Sequence, residues 1–163
     1  HMNIGAGRIV FQDLVKINRA INDTTFFQNP SIQRAFNLAL QRNQTLHLVG
    51  LVSDGGVHSH IHHLLALIKV AVAYPQLPVA LHIITDGRDT DPMSGVSFVK
   101  VIEAAIENTN CYIATVVGRY YAMDRDKRWE RVETAYNALV CGKLVEPAAS
   151  LSDSNPSEVE DAD

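Results

Sequence analysis

The stretch Asp86-Gly87-Arg88-Asp89-Thr90-Asp91-Pro92 sets three carboxylates around one guanidinium within a few residues. An arginine can grip phosphate or carboxylate through two parallel hydrogen bonds, and an aspartate beside it can exchange a proton with a hydroxyl. Gly87 permits tight backbone geometry, and Pro92 suits the opening of a following helix. Two other segments carry related chemistry. Asp54 to His63 holds His58, whose imidazole can donate to a phosphoryl oxygen or act as acid or base near neutral pH. Gly118 to Arg128 holds Arg119 and Arg125. Arg88, Arg119 and Arg125 together suit a small dianion or trianion rather than a neutral ligand. Asp89 and His58 are the candidate catalytic groups, and His58, Arg88, Asp89, Arg119 and Arg125 the candidate substrate-binding set.

Each assignment has a plainer rival. Alone, Asp-Gly-Arg-Asp is a turn with an internal salt bridge. Arg125 can be a surface charge near a helix start, and Arg128 and Arg131 read as solvated or ion-paired helix residues. His58 and His62 are four apart, a spacing able to present two imidazoles to one metal. Without a nearby cysteine or a third ligand at helical spacing, His58, His60, His62 and His63 are expected to be solvated or capping. Only convergence of the three segments on one crevice lifts the functional reading above these.

The elements that position these segments follow from hydrophobic periodicity. Leu46 to Val52, Val79 to Ile84 and Cys111 to Val117 are apolar runs that read as buried strands. Helices follow each: one faced by Ile61, Leu64, Leu65, Ile68 and Val72, one by Val96, Val99, Ile102 and Ile106, and a last one by Trp129, Val132, Tyr136 and Leu139, capped by Asp124 or Asp126. Two amphipathic helices precede them, the first marked by Val10, Leu14, Ile17 and Ile21, the second running from about Ser31, its cap, to Arg42. The βαβαβα order predicts an α/β, three-layer domain with a mainly parallel central sheet flanked by helices on both faces. In such a sheet the segments after the strands emerge on one edge, where ligands bind.

The chain has 163 residues, 47% of them apolar and 20% charged, which suits one soluble domain with a full core. Its net charge of −4 argues against nucleic-acid binding. Cys111 and Cys141 suggest no disulfide framework and a reducing, cytoplasmic setting. No apolar stretch approaches the roughly 20 residues that span a bilayer, so no membrane partner is expected. Gly5-Ala6-Gly7-Arg8 lacks the preceding strand and third glycine of a dinucleotide fingerprint and reads as a hinge. Beyond Ser150 lie five acidic and no basic residues, too little apolar area to offset ordering entropy. The expected division is a hinge at 1–9, a domain at 10–145 and an acidic, disordered tail at 146–163.

Four segments together resemble a known family: SDGGVHSH (Ser53 to His60), TDGRDTDP (Thr85 to Pro92), VVGRYYAMDRDKRW (Val116 to Trp129) and NIGAGRIVFQDL near the start. They are similar, in order and interval, to the cofactor-independent (2,3-bisphosphoglycerate-independent) phosphoglycerate mutases over about residues 3 to 145. In that family a phosphatase domain of alkaline-phosphatase type, with two manganese ions and a nucleophilic serine, is interrupted by an inserted phosphotransferase domain. The resemblance implies that this chain is most of the inserted domain. The family's substrate-binding residues carry over onto His58, Arg88, Asp89, Arg119 and Arg125.

The resemblance also implies what lies elsewhere: the serine, the manganese ligands, a phosphatase-domain lysine and a later arginine-rich segment. His1-Met2 reads either as an expression scar or as the native end of the serine motif. No metal is expected within this stretch. The implied reaction interconverts 3-phosphoglycerate and 2-phosphoglycerate through a phosphoserine, in a monomer whose two domains must meet. The stretch alone is expected to be inactive. A stand-alone phosphometabolite-binding module and a histidine-cluster metal-binding domain are the alternatives.

Overall fold

A computed structural model of the chain describes Gly5, Gly7 and residues 11–143. The hinge expected at 1–9, the periodic residue Val10 and the acidic tail at 146–163 lie outside the described residues, the two glycines apart. The elements run α1 (Asp13–Asn22), a 3-10 turn (Thr25–Gln28), α2 (Pro30–Gln41), β1 (Leu46–Val52), α3 (Ile61–Val72), β2 (Val79–Thr85), α4 (Gly95–Ile106), β3 (Cys111–Gly118), α5 (Arg119–Ala122) and α6 (Trp129–Cys141).

The strands form one parallel sheet in the order β1-β2-β3. Register pairs Leu46 with Val79 and Val52 with Thr85, and on the other side Val79 with Cys111. One irregularity follows Leu81, so that His82 faces Thr115. β2 is the central strand and is buried from Val79 to Ile83, as the apolar run requires when both neighbours are strands. Around it pack Phe36, Ile61, Ile68, Val70, Ala71, Leu77 and Ile102. Full burial of each large side chain contributes about 1.5–3 kcal/mol. The chain is thus α/β, with helices flanking a parallel sheet. Its cover is uneven: Val49 and Tyr112 on the outer strands stay exposed, and β1 is fully buried only at Leu51 and Val52.

Three local expectations are corrected. α2 is capped by Asn29, not Ser31: Asn29 Oδ1 accepts from Ser31 N at 2.9 Å and Ile32 N at 3.3 Å. Pro30, with its preset φ and missing N–H, takes the first helical position. α6 has no side-chain cap; Asp124 instead accepts from the backbone N–H of Asp126 and Arg128 and pins the approach to the helix. The third concerns which faces pack. Trp129 is 70% exposed and Tyr136 56%, while Ala135 is buried where α6 meets the rest of the fold. Val72 and Val96 likewise turn outward from α3 and α4. Periodicity marks an apolar stripe, but the helix's rotation against its neighbours decides which residues are covered.

Candidate functional site

Because the strands are parallel, the segments after β1, β2 and β3 leave the sheet on one edge. Each is shaped by short-range chemistry. Ser53, buried past the end of β1, accepts from Ile61 N at 2.8 Å through its carbonyl, linking this loop to the start of α3. After β2, Asp86 Oδ1 accepts from Arg88 N at 3.1 Å and Asp89 N at 3.0 Å, an Asx-type turn. Gly87 has φ +94°, a conformation that other residues rarely adopt. Asp91 Oδ1 accepts from Met93 N at 2.7 Å ahead of α4. After β3, Gly118 leads directly into the short helix that begins with Arg119.

The loops meet closely. A Cβ on Gly55 would lie 3.1 Å from the Asp89 carbonyl oxygen and 3.2 Å from Asp89 Cβ, so the absent side chain lets the first loop rest on the second. Arg119 Nη1 donates to both Asp86 Oδ1 and Asp89 Oδ2, each at 2.7 Å. His58 Nε2 lies 3.8 Å from Asp89 Oδ2, an ion pair when the imidazole is protonated. A crevice of about 720 Å³ opens here, lined by His58, Asp86, Arg88, Asp89, Arg119 and Arg125 together with Val57, Tyr120, Met123, Asp124, Asp126 and Arg131.

All five residues singled out from the sequence therefore line one cavity. They are not equivalent. Arg88 and Arg125 are exposed, and among the described residues neither guanidinium has an ion-pair partner. The Arg119 side chain is 12% exposed and fully engaged with carboxylates on one nitrogen. This corrects the picture of carboxylates gathered around Arg88: Asp86 and Asp89 turn instead to Arg119, thirty or more residues on. Arg131 is ion-paired, 3.6 Å from Asp124, and its guanidinium stacks 3.8 Å from the centre of the Tyr120 ring.

Electrostatics follow this pairing. Burial by itself would raise the Asp86 pKa, but the Ser53 hydroxyl, the Asp89 N–H, the Arg119 guanidinium and the Arg88 N–H outweigh it and hold the carboxyl well below the usual range. By accepting from it, Asp89 first and Asp86 second make Arg119 hold its proton more firmly. Asp86 and one oxygen of Asp89 are thus committed to Arg119, while among the described residues the guanidinium groups of Arg88 and Arg125 at the rim have no ion-pair partner and can meet an anion.

The other histidines go elsewhere. His60 caps α3, its Nδ1 accepting from His62 N at 3.2 Å. His63 Nε2 bonds Asn18 Oδ1 at 2.7 Å, and burial, then His60 and His62, lower its pKa. Among the described residues no three His, Cys, Asp or Glu side chains gather as a metal site. No helix among them is long and apolar enough to cross a membrane.

Sequence reasoning did not single out Ser53, nor the role of Asp86 as the partner of Arg119. With Val52 paired to Thr85 in the sheet, Ser53 and Asp86 come next to each other, a neighbourhood set by strand register and carried by neither segment's residue types.

Comparison with known proteins adds to this geometry. The family profile described as BPG-independent PGAM N-terminus matches residues 17–162. The chain is 54% identical over 143 residues to the 2,3-bisphosphoglycerate-independent phosphoglycerate mutase of Parabacteroides distasonis, covering 88% of this chain and 28% of that protein. To the protein of the same name from Clostridioides difficile it is 50% identical over 162 residues, covering 99% and 31%. Among solved structures, Leishmania mexicana phosphoglycerate mutase at low cobalt concentration superposes with a TM-score of 0.74 at 30% identity, over 84% of this chain and 26% of that one. The chain thus spans about 28% of the length of curated relatives it matches.

Proposed function

This chain belongs to the BPG-independent phosphoglycerate mutase family, within its N-terminal domain, and from that premise we propose that the three-loop crevice holds 2- and 3-phosphoglycerate during phosphoryl transfer. The observation that carries the reading is the convergence of His58, Arg88, Asp89, Arg119 and Arg125 on one cavity from three strand ends.

In this reading Arg88 and Arg119 hold the carboxylate and phosphate, Arg119 through the donors its carboxylate partners leave free, while Arg125 and His58 orient the anion. Asp89 exchanges protons with the substrate hydroxyls. Its Oδ2 is taken by Arg119, whereas Oδ1 makes no hydrogen bond among the described residues and is open to a hydroxyl. In this reading the phosphoryl acceptor, a serine, and two manganese ions that would activate it belong to another part of the full-length protein. Bound glycerate is kept from water when the partner domain closes over it, which favours transfer back over hydrolysis. We place the protein in the cytoplasm, working as one polypeptide with that domain, and 10–145 as its substrate-holding unit.

Titration calorimetry with 3-phosphoglycerate tests this. Weak binding, with a dissociation constant on the order of 1 mM (about −4 kcal/mol), is expected, abolished by Arg88→Glu. No binding, or binding indifferent to Arg88→Glu, would overturn it, whereas micromolar affinity would show that the anion site is already complete within this chain. A coupled mutase assay with added manganese should show no turnover by this chain alone.

A further inference from the structure

We infer that Asp86 is the positioning residue of the crevice: its buried carboxylate, oriented by Ser53, ties the ends of all three strands together and presents Arg119 to the anion. The inference rests on reading the crevice as an anion site.

Asp86 has a side chain only 2% exposed, yet it faces a guanidinium rather than solvent. Ser53 Oγ, from the end of β1, donates to Oδ2 at 2.7 Å. Arg119 Nη1, from the end of β3, donates to Oδ1 at 2.7 Å. The same Oδ1 holds the backbone N–H groups of Arg88 and Asp89. An Asx turn needs only the last pair. The bonds to Ser53 and Arg119 are superfluous for turning the chain, and they are the ones that reach the neighbouring strands. They set where Arg119 sits relative to Arg88 and Asp89, and a long arginine otherwise loses rotamer freedom on binding. Asp86 touches the ligand only through these neighbours, so it acts on affinity by fixing their positions.

Two measurements on this chain test the inference. In NMR of arginine side chains, the Arg119 guanidinium of the wild type should give distinct, exchange-protected signals, and Asp86→Asn should average them and speed exchange at least tenfold. Unchanged Arg119 signals would overturn the proposal. Ser53→Ala, which removes one bond with little change of volume, should show the same effect in weaker form and decides the matter if Asp86→Asn does not fold. In NMR shift titrations with 3-phosphoglycerate at constant ionic strength, which follow dissociation constants well above about 1 mM, Asp86→Asn should weaken binding about tenfold, the lower end of the range of a charge-assisted hydrogen bond. Placed on Arg119→Met, it should cost nothing further, because its effect passes through Arg119. Additive losses would show general structural support and sink the positioning role. Wild-type protein that binds no 3-phosphoglycerate would refute the anion-site reading, while the Arg119 signals would still decide whether Asp86 positions it.

Discussion

His47 Nδ1 lies 2.9 Å from His82 Nε2 across β1 and β2, and His82 Nδ1 lies 2.9 Å from Thr115 Oγ1 on β3. The two ring planes differ by 20° with centroids 5.2 Å apart, so the imidazoles meet edge to edge through one shared proton. Protonating both rings would set two N–H donors against each other.

The consequence is a pH dependence of stability. Burial first, and His47 second, lower the His82 pKa. Unfolded chains then bind a proton that the folded state resists, so this stability is complete above about pH 6.5 and lost as pH falls through the folded-state value. Urea unfolding between pH 8 and 5 should show a slope that His82→Leu reduces by up to about 1.4 kcal/mol per pH unit. His63, lowered in the same direction, keeps some slope in the variant. Identical slopes would contradict the assignment.

Asp86 behaves in the same sense at lower pH. Its depressed pKa means that its contribution is fully present above about pH 4 and disappears as pH falls through the folded-state value. Asp86→Asn should be less stable at neutral pH and lose less between pH 4 and pH 2 than the wild type, as followed by circular dichroism. Parallel acid-unfolding curves would count against it.

Arg88 and Arg119 share a proposed ligand but should differ in stability. Arg119→Met strands two carboxylates, one of them 2% exposed, and is expected to cost about 3–5 kcal/mol. Arg88 is exposed and has no ion-pair partner among the described residues, so Arg88→Met should fall within about 0.5 kcal/mol of wild type. Both should weaken phosphoglycerate binding. Equal denaturation midpoints for the two variants would be the wrong result.

Gly55→Ala should push the first and second loops apart, because the new methyl would sit 3.1 Å from a backbone carbonyl of Asp89 and 3.3 Å from Thr90 Cγ2. A loss of about 1–3 kcal/mol from overpacking is expected, with weaker phosphoglycerate binding. A melting curve and a binding isotherm both matching wild type would show that the loops have slack.

Much of this architecture was legible in local patterns. Apolar runs with turn residues at their ends placed β1 from Leu46 to Val52 and the other two strands to within a residue, because strand burial and chain reversal are short-range properties. Parallel order then put the segments holding His58, Arg88, Asp89, Arg119 and Arg125 on one edge, and their motifs pointed to the family. The cap of α2 was misplaced by two residues because Asn29 and Ser31 carry similar signals.

What tertiary structure alone decided was which groups actually touch. Residue types could not say that Asp86 would take Arg119 rather than Arg88, that Ser53 would steady it, that His47, His82 and Thr115 would line up across three strands, or that Trp129 would face outward. Each outcome depends on strand register, helix rotation and side-chain rotamers. Those are chosen by the packing of residues far apart in the chain, where a displacement of about an ångström makes or breaks a hydrogen bond.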